Sequence, residues 1–255
     1  MNLDRVSIGV PGALAAEVVR DLASRIEDLG FRGLWINDTP TGDSLAGLAA
    51  ASESTSRLML GTGVIPVDRR SAHEILRGIA GLDASRLVIG IGSGGPSDAL
   101  SRVADAVAEL KSSTSAPVLV GALGPRMRKL AAEAADGILF NWLTPGAARD
   151  AMDDLRREAS GAVRGVLYVR TIVDAAARPA LEAEAAAYAS YPSYAANFER
   201  IGATALETTL DDTNFVAKLG EYTDSVDEVV LRAITPTGSH ADLIRFVETA
   251  ASLLE

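Results

Sequence analysis

The sequence predicts an α/β protein in which residues 1–255 form one (βα)8 TIM barrel. Short runs rich in Val, Ile and Leu alternate with amphipathic helical segments, which is the pattern of βα units around a parallel sheet. The runs are apolar almost throughout, as strands covered on both faces are. A length of 255 residues lies in the range in which eight such units close into a barrel.

Eight strands and eight helical segments follow from this alternation. The strands are expected at residues 6–10, 33–37, 58–63, 86–92, 118–122, 137–142, 166–172 and 228–234. Gly30 follows the first amphipathic segment and ends that helix. Pro145, Pro179 and Gly238 stand where later helices begin.

Two connections depart from a regular barrel. Only residues 93–117 separate the fourth and fifth strands, which leaves room for one helix and a shortened insertion. The connection between the seventh and eighth strands, residues 174–227, is the longest and contains the turn sequence YPSY at 191–194. We expect two or three extra helices there.

An open, doubly wound sheet is the alternative, because Gly90, Gly92 and Gly95 form a G-x-G-x-x-G match between a strand and a helix. The match falls on the fourth strand rather than the first. No acidic residue ends the next strand to hold a ribose hydroxyl. The barrel is therefore the preferred prediction.

Composition narrows the class of protein. A net charge of -10 and a pI near 4.8 argue against nucleic acid or an anionic membrane as the main partner. No apolar run approaches the roughly 18 residues of a membrane span, and the start of the chain lacks an export signal, so we expect a cytoplasmic protein. The absence of cysteine excludes disulfides and cysteine metal sites.

The active site of a barrel lies at the carboxyl ends of its strands. The positions there are Asp38, residues 62–64, 93–94, 121–125 and 141–144, Arg170 and Thr235. They include no lysine for a Schiff base, and His73 and His240 fall at helix starts, so we expect no metal site. Small residues, hydroxyls and amides suit a large organic cofactor that supplies its own reactivity.

The stretch PVLVGALGPRMRKLAAEAADGILFNWLTP, residues 117–145, is the most informative. It predicts a buried strand, a Gly-Pro turn that opens a helix, and a second buried strand. Backbone N–H groups at such a turn bind phosphate without any charged side chain. Residues 121–127 are therefore a candidate phosphate site.

This stretch, together with GFRGLWINDTP (30–40), SRLMLGTGVIPVDRRSAHEILR (56–77), SRLVIGIGSGG (85–95) and YPSYAANFERIG (191–202), resembles the bacterial luciferase-like superfamily. The resemblance is strongest to its branch that uses coenzyme F-420, the methylene-tetrahydromethanopterin reductases. Members usually carry a long insertion after the fourth strand that covers the substrate pocket and joins subunit contacts. This chain resembles a shortened member.

The resemblance implies roles for individual residues. Gly63 and Val64 match a non-prolyl cis peptide that bulges against the central ring of the cofactor. Asp38 matches a polar residue near the ring and is the catalytic candidate; capping of the following helix is the alternative. The expected cofactor-binding residues are Thr62, Gly63, Val64, Ser93, Gly94, Gly121, Ala122, Gly124, Pro125, Arg126, Met127 and Asn141.

The implied reaction is hydride transfer between the 8-hydroxy-5-deazaflavin ring of coenzyme F-420 and a small organic substrate. The resemblance also implies that the protein can form a homodimer. An FMN-dependent monooxygenase is the first alternative. Those enzymes often place a histidine or cysteine near the reactive oxygen, and neither occurs at the strand ends here. A barrel that binds cofactor without catalysis is the second alternative.

Overall fold

The protein is described by a computed structural model over residues 3–95 and 98–254. Eight parallel strands close into a barrel, since β1 pairs with both β2 and β9 in the middle of the order and β3 pairs with β5 to join its two ends. The strands are β1 (Val6–Pro11), β2 (Gly33–Asn37), β3 (Met59–Thr62), β5 (Leu87–Gly92), β6 (Val118–Gly121), β7 (Gly137–Asn141), β8 (Arg164–Thr171) and β9 (Glu228–Ala233). A two-residue strand, β4 (Ile65–Pro66), extends β3 and pairs with β5. The predicted barrel is confirmed, and each predicted strand end lies within two residues of the observed one.

Helices surround the barrel in the predicted alternation. They are α1 (Ala16–Asp28), α2 (Ser44–Ser54), α3 (Ala72–Gly78), α4 (Ala99–Ser113), α5 (Pro125–Ala134), α6 (Pro145–Glu158), α7 (Arg178–Ser190), α8 (Pro192–Ile201), α9 (Phe215–Thr223) and α10 (His240–Leu254). One helix, α4, fills the short connection after β5. Three helices, α7 to α9, lie between β8 and β9, and α7 ends at the predicted YPSY turn. None of the helices within the described ranges is long and apolar enough to cross a bilayer.

The interior of the barrel is a packed core, separate from the larger core between strands and helices. Its buried members are Trp35, Val88, Leu119, Leu139, Val166, Tyr168 and Val230. Because side chains alternate along a strand, residues two positions further on face the same interior near the carboxyl ends. That upper layer contains Asn37, Gly121, Asn141, Arg170 and Arg232.

A buried carboxylate closes the opposite, amino-terminal end of the barrel. Glu228, at the start of β9, accepts hydrogen bonds from Ser7 Oγ at 2.6 Å, Trp35 Nε1 at 2.7 Å and Arg32 Nε at 3.1 Å. Arg164 forms an ion pair with the same carboxylate. These contacts join four strands and satisfy a charge that burial alone would make costly.

The open-sheet alternative is wrong. Gly90 and Gly92 lie inside β5, which pairs with β3 on one side and β6 on the other. A closed sheet has no crevice at a reversal of strand order, where dinucleotides bind. These glycines serve close packing: a β-carbon on Gly90 would lie 2.3 Å from Leu139 Cδ1.

Candidate active site at the barrel mouth

The connection from β3 to β4 places Val64 at the mouth of the barrel. Val64 is 40% exposed, although it follows a buried strand. The predicted cis peptide between Gly63 and Val64 is not observed, since the described residues contain no cis peptide bond. The trans form is favoured by about 3 kcal/mol for a non-prolyl bond. In the preceding peptide, the N–H of Gly63 donates to Ile36 O at 2.7 Å and ties this connection to β2.

Val64 lies over two glycines of neighbouring strands. A β-carbon on Gly92 would be 2.4 Å from Val64 Cγ1, and one on Gly121 would be 2.5 Å from Val64 Cγ2. Any larger side chain at either position would displace Val64. The mouth above β3, β5 and β6 thus has a floor of backbone and one exposed aliphatic side chain, which suits a flat ring.

Thr62 does not reach this floor. Its side chain is fully buried, and its hydroxyl accepts from Gly90 N at 2.8 Å. Alternation along β3 turns Gly61 and Gly63 toward the interior and Thr62 away from it. Thr62 therefore joins β3 to β5 beneath the mouth.

The predicted phosphate turn lies at the carboxyl end of β6. The strand ends at Gly121, and Gly124 is the N-cap of α5, whose first residue is Pro125. No side chain caps the start of α5, and a β-carbon on Gly124 would meet no atom within 4 Å. The N–H groups of the first helical turn, at Arg126 and Met127, have no acceptor further back in the helix. The turn is open, as an anion site requires.

A positively charged side chain that the sequence did not suggest lies beside this turn. Arg200, on α8, donates from Nη1 to Leu123 O at 3.1 Å. Arg128, on α5, stacks over Phe140 at 5.6 Å. Burial, with the nearby charge of Arg200, lowers the pKa of Arg128. The only signal in the sequence was that Arg200 belongs to the family-like segment YPSYAANFERIG.

The loop after β5 carries Ser93 and Gly94, and residues 96–97 fall outside the described ranges. Asp68, in the loop before α3, accepts from Gly95 N at 2.6 Å. Gly94 has a φ of 67°, and a β-carbon there would be 1.8 Å from Asp68 Oδ1. Only glycine fits at this position, so Asp68 sets the path of the loop beside the mouth.

Asp38, the catalytic candidate, is held on all sides. Its side chain is 1% exposed and forms an ion pair with Arg69. Oδ2 accepts from Ser44 Oγ at 2.9 Å and Ser44 N at 3.3 Å, and Arg70 Nη1 lies 3.8 Å away. The N-cap of α2 is Asp43, although Asp38 does bind the first N–H of that helix. Arg70 also pairs with Asp43 at 2.8 Å, so both arginines are bound to acids.

Asn141 lies in the other half of the mouth, above β7, and bonds to protein groups. Its Oδ1 accepts from Arg170, and its side chain also interacts with the Tyr194 hydroxyl. Arg170 Nε is 2.9 Å from Glu184 Oε1. These contacts tie β7 and β8 to α7 and α8, which cover this half of the mouth.

Trp142 follows β7 with a φ of 54°, a left-handed conformation that costs a non-glycine residue about 1 kcal/mol or more. Its ring stacks on the Arg170 guanidinium at 4.1 Å and packs 5.0 Å from the Tyr188 ring. Asn197 Nδ2 donates to Trp142 O at 3.0 Å. Trp142 is thus a core residue that holds Arg170 in place.

Both histidines lie at helix starts rather than at strand ends. His73 lies in the first turn of α3, as predicted, and His240 begins α10 with Nε2 2.7 Å from Asp21 Oδ2. Across the described ranges, no group of three or more histidines and carboxylates could hold a metal ion. The chemistry at the mouth therefore rests on amides, hydroxyls, arginines and Asp38.

The model of the luciferase-like monooxygenase family matches residues 5–109 and 102–254, which together span nearly the whole chain. The chain belongs to this family. The resemblance inferred from the sequence is confirmed.

Solved structures share the fold of this family member. A coenzyme F-420-dependent tetrahydromethanopterin reductase from Methanopyrus kandleri aligns with a TM-score of 0.72 at 20% identity, over 97% of each chain. An F-420-dependent secondary alcohol dehydrogenase, solved with an F-420–acetone adduct, gives 0.76 at 14% identity over 98% of this chain and 99% of that one. The oxygenating constituent of 3,6-diketocamphane monooxygenase from Pseudomonas putida, solved with FMN, gives 0.69 at 10% identity over 97% of each.

Proposed function

We propose that this protein is an oxidoreductase that binds coenzyme F-420 at the barrel mouth and transfers hydride between the deazaflavin and a small organic substrate. One observation carries the proposal: the start of α5 is uncapped and open at Gly124, on the same rim as the floor formed by Val64, Gly92 and Gly121. A phosphate site beside a flat, apolar floor fits a cofactor with a ring and a phosphate tail.

The charges at the turn support an anionic tail. A helix N-terminus carries a partial positive charge and free N–H donors. Arg200 and Arg128 add two full charges close enough to one another that Arg200 helps to lower the pKa of Arg128. A phosphate at the turn would relieve that repulsion.

The bound deazaflavin would supply a carbon that accepts or donates hydride. The residues of this chain would then hold and orient the ring and exclude water. Val64 supports one face of the ring, and Ser93 and Gly94 border it. Asp38 remains the candidate acid or base; in this arrangement its carboxylate is paired with Arg69, so its first effect is to position that arginine.

FMN is the alternative cofactor, because its phosphate would fit the same turn and one structural neighbour was solved with FMN. The lack of cysteine in the chain, and the position of both histidines on helices, support the deazaflavin. A reduced flavin that activates oxygen would find neither residue at a strand end.

A fluorescence titration of the purified protein with F-420, FMN and FAD tests the proposal. We expect saturable, micromolar binding of F-420 and much weaker binding of the two flavins. Tighter binding of FMN would favour the monooxygenase. If none of the three bound, the cofactor site itself would be disproved.

A further inference from the structure

We propose that the substrate carries a compact oxyanion, such as a carboxylate, and that Arg232 together with Arg170 forms the subsite that binds it. The identification of the bound molecule as a substrate rests on the proposed function. The subsite itself is argued from residues that take no part in the cofactor floor. It names the chemical class of molecule that the mouth accepts.

The two arginines lie side by side. Arg170 on β8 and Arg232 on β9 are partners in the register of two adjacent parallel strands. Each is two residues beyond a member of the interior core, Tyr168 and Val230, so both side chains belong to the upper layer of the barrel. Two cations thus share one corner of the mouth.

Their charges are not balanced. Glu184 is paired with Arg170 at 2.9 Å, and no other ion pair of Arg170 or Arg232 is found in the described parts of the chain. Arg232 donates from Nη1 to the carbonyl of the adjacent Ala233, and its buried Nε has no partner. Burial, opposed by Glu184 and reinforced by Arg170, lowers the pKa of Arg232. One positive charge remains without a counterion.

A third donor beside Arg232 also lacks an acceptor. Tyr168 is 7% exposed, and its hydroxyl has no hydrogen-bond partner. A β-carbon on Gly9 would lie 3.3 Å from Tyr168 Cε1 and 3.4 Å from Arg232 Cα, so the Tyr168 ring and the Arg232 backbone border the same glycine. Burial raises the pKa of Tyr168, so its hydroxyl stays a neutral donor. Buried donors without acceptors are rare in folded proteins, and an oxyanion would satisfy both.

The position of the subsite fits a substrate. In the closed order of eight strands, β9 lies four strands from β5 in either direction, so Arg232 faces Gly92 across the mouth. Arg232 is partly exposed, and α7 covers this half from above with Glu184 and Tyr188. A small molecule held at Arg232 would therefore point toward the floor on which the ring is proposed to lie.

Titration of the cofactor-free protein with malonate tests this subsite, with malonamide as the neutral probe and ionic strength held constant. Tryptophan fluorescence is the readout, since Trp142 stacks on Arg170. We expect saturable binding of malonate only, weakened roughly tenfold or more in Arg232→Gln and severalfold in Tyr168→Phe. Arg157→Gln, which removes an exposed arginine of α6, is the control of equal charge and should leave binding unchanged. Equal binding of malonate and malonamide, or equal affinity in Arg232→Gln and wild type, would overturn the proposal.

The titration is repeated with saturating F-420 to determine whether the arginines bind an anion of the substrate or an anionic group of the cofactor. Retained malonate binding supports a substrate subsite, whereas displacement of malonate by the cofactor would assign the arginines to the cofactor and overturn it. If F-420 and FMN both fail to bind while malonate binds selectively, the proposed function falls and the oxyanion subsite stands.

Discussion

Val64 and Gly121 share one space at the mouth of the barrel: a β-carbon on Gly121 would lie 2.5 Å from Val64 Cγ2. The missing side chain at Gly121 therefore determines where Val64 lies. Gly92 imposes the same requirement from the next strand. This arrangement makes the floor of the proposed cofactor site sensitive to single methyl groups.

Gly121→Ala should push Val64 into the space above the floor. Because Val64 is exposed and can turn away, we expect the free energy of unfolding to change by less than about 1 kcal/mol, while cofactor affinity falls about tenfold. Urea denaturation and cofactor titration measure the two effects. Val64→Ala combined with Gly121→Ala should restore affinity; if the double variant bound as weakly as Gly121→Ala, Val64 would not be the residue in conflict.

Glu228→Gln tests the opposite end of the barrel. It leaves Arg32 and Arg164 without their buried counterion, so we expect a loss of about 3 kcal/mol in unfolding free energy, with cofactor affinity of the folded protein unchanged. Denaturant unfolding is the measurement. Glu248→Gln, in an exposed pair with Arg25, should cost less than about 1 kcal/mol. A similar cost in both variants would contradict the role assigned to Glu228.

Asp43 should make part of the stability depend on pH. A hydrogen bond from Arg70, opposed by burial and aided by the N–H groups of Ala46 and Leu45, lowers the pKa of Asp43. Its stabilisation is therefore complete above the unfolded pKa of about 3.9 and is lost as pH falls through the lower folded value. Asp43→Ala should cost about 1 kcal/mol at neutral pH.

The cost of Asp43→Ala should shrink as acid protonates the wild-type carboxylate. Asp43→Asn keeps the N-cap and loses only the charge, so it should cost less at neutral pH. Thermal unfolding from pH 7 to about 2.5 separates the two variants. If the loss of stability caused by Asp43→Ala stayed constant over this range, these contacts would not lower the pKa of Asp43.

The pairing of Asp38 with Arg69 predicts strong coupling between the two residues. Asp38→Asn and Arg69→Gln should each lower the unfolding free energy by about 2 kcal/mol, and the double variant should cost little more than either. A double-mutant cycle by urea denaturation measures this coupling. Additive costs would mean that Asp38 is free of Arg69 and available as an acid or base.

The sequence predicted the barrel and its strands because buried parallel strands are continuous apolar runs, which need no knowledge of their partners. It predicted the turn between β6 and α5 for a similar reason, since Gly124 and Pro125 act locally on the chain; the binding of phosphate there stays a prediction. The expectation of two or three helices after β8, of which three are observed, followed from the length of their segment and the YPSY turn.

The polar contacts of the mouth could not be predicted, because they join residues distant in sequence. Asn141 bonds to Arg170, and Arg200 reaches Leu123 from another helix. Arg232 gave a usable signal, a charged residue at an inward position of an apolar strand. The prediction of a strand that extends to residue 234 instead selected Thr235 as the residue at the mouth, whereas the strand ends at Ala233.

The measurement that tests the central claim most directly compares F-420 binding in Gly124→Trp and Gly161→Trp. A β-carbon at either glycine meets no atom within 4 Å, so both variants should fold, but Gly161 lies at the other end of the barrel, before β8. We predict that Gly124→Trp abolishes F-420 binding and Gly161→Trp binds as wild type does. Unchanged affinity in a folded Gly124→Trp protein would contradict the claim that the turn between β6 and α5 holds the cofactor phosphate.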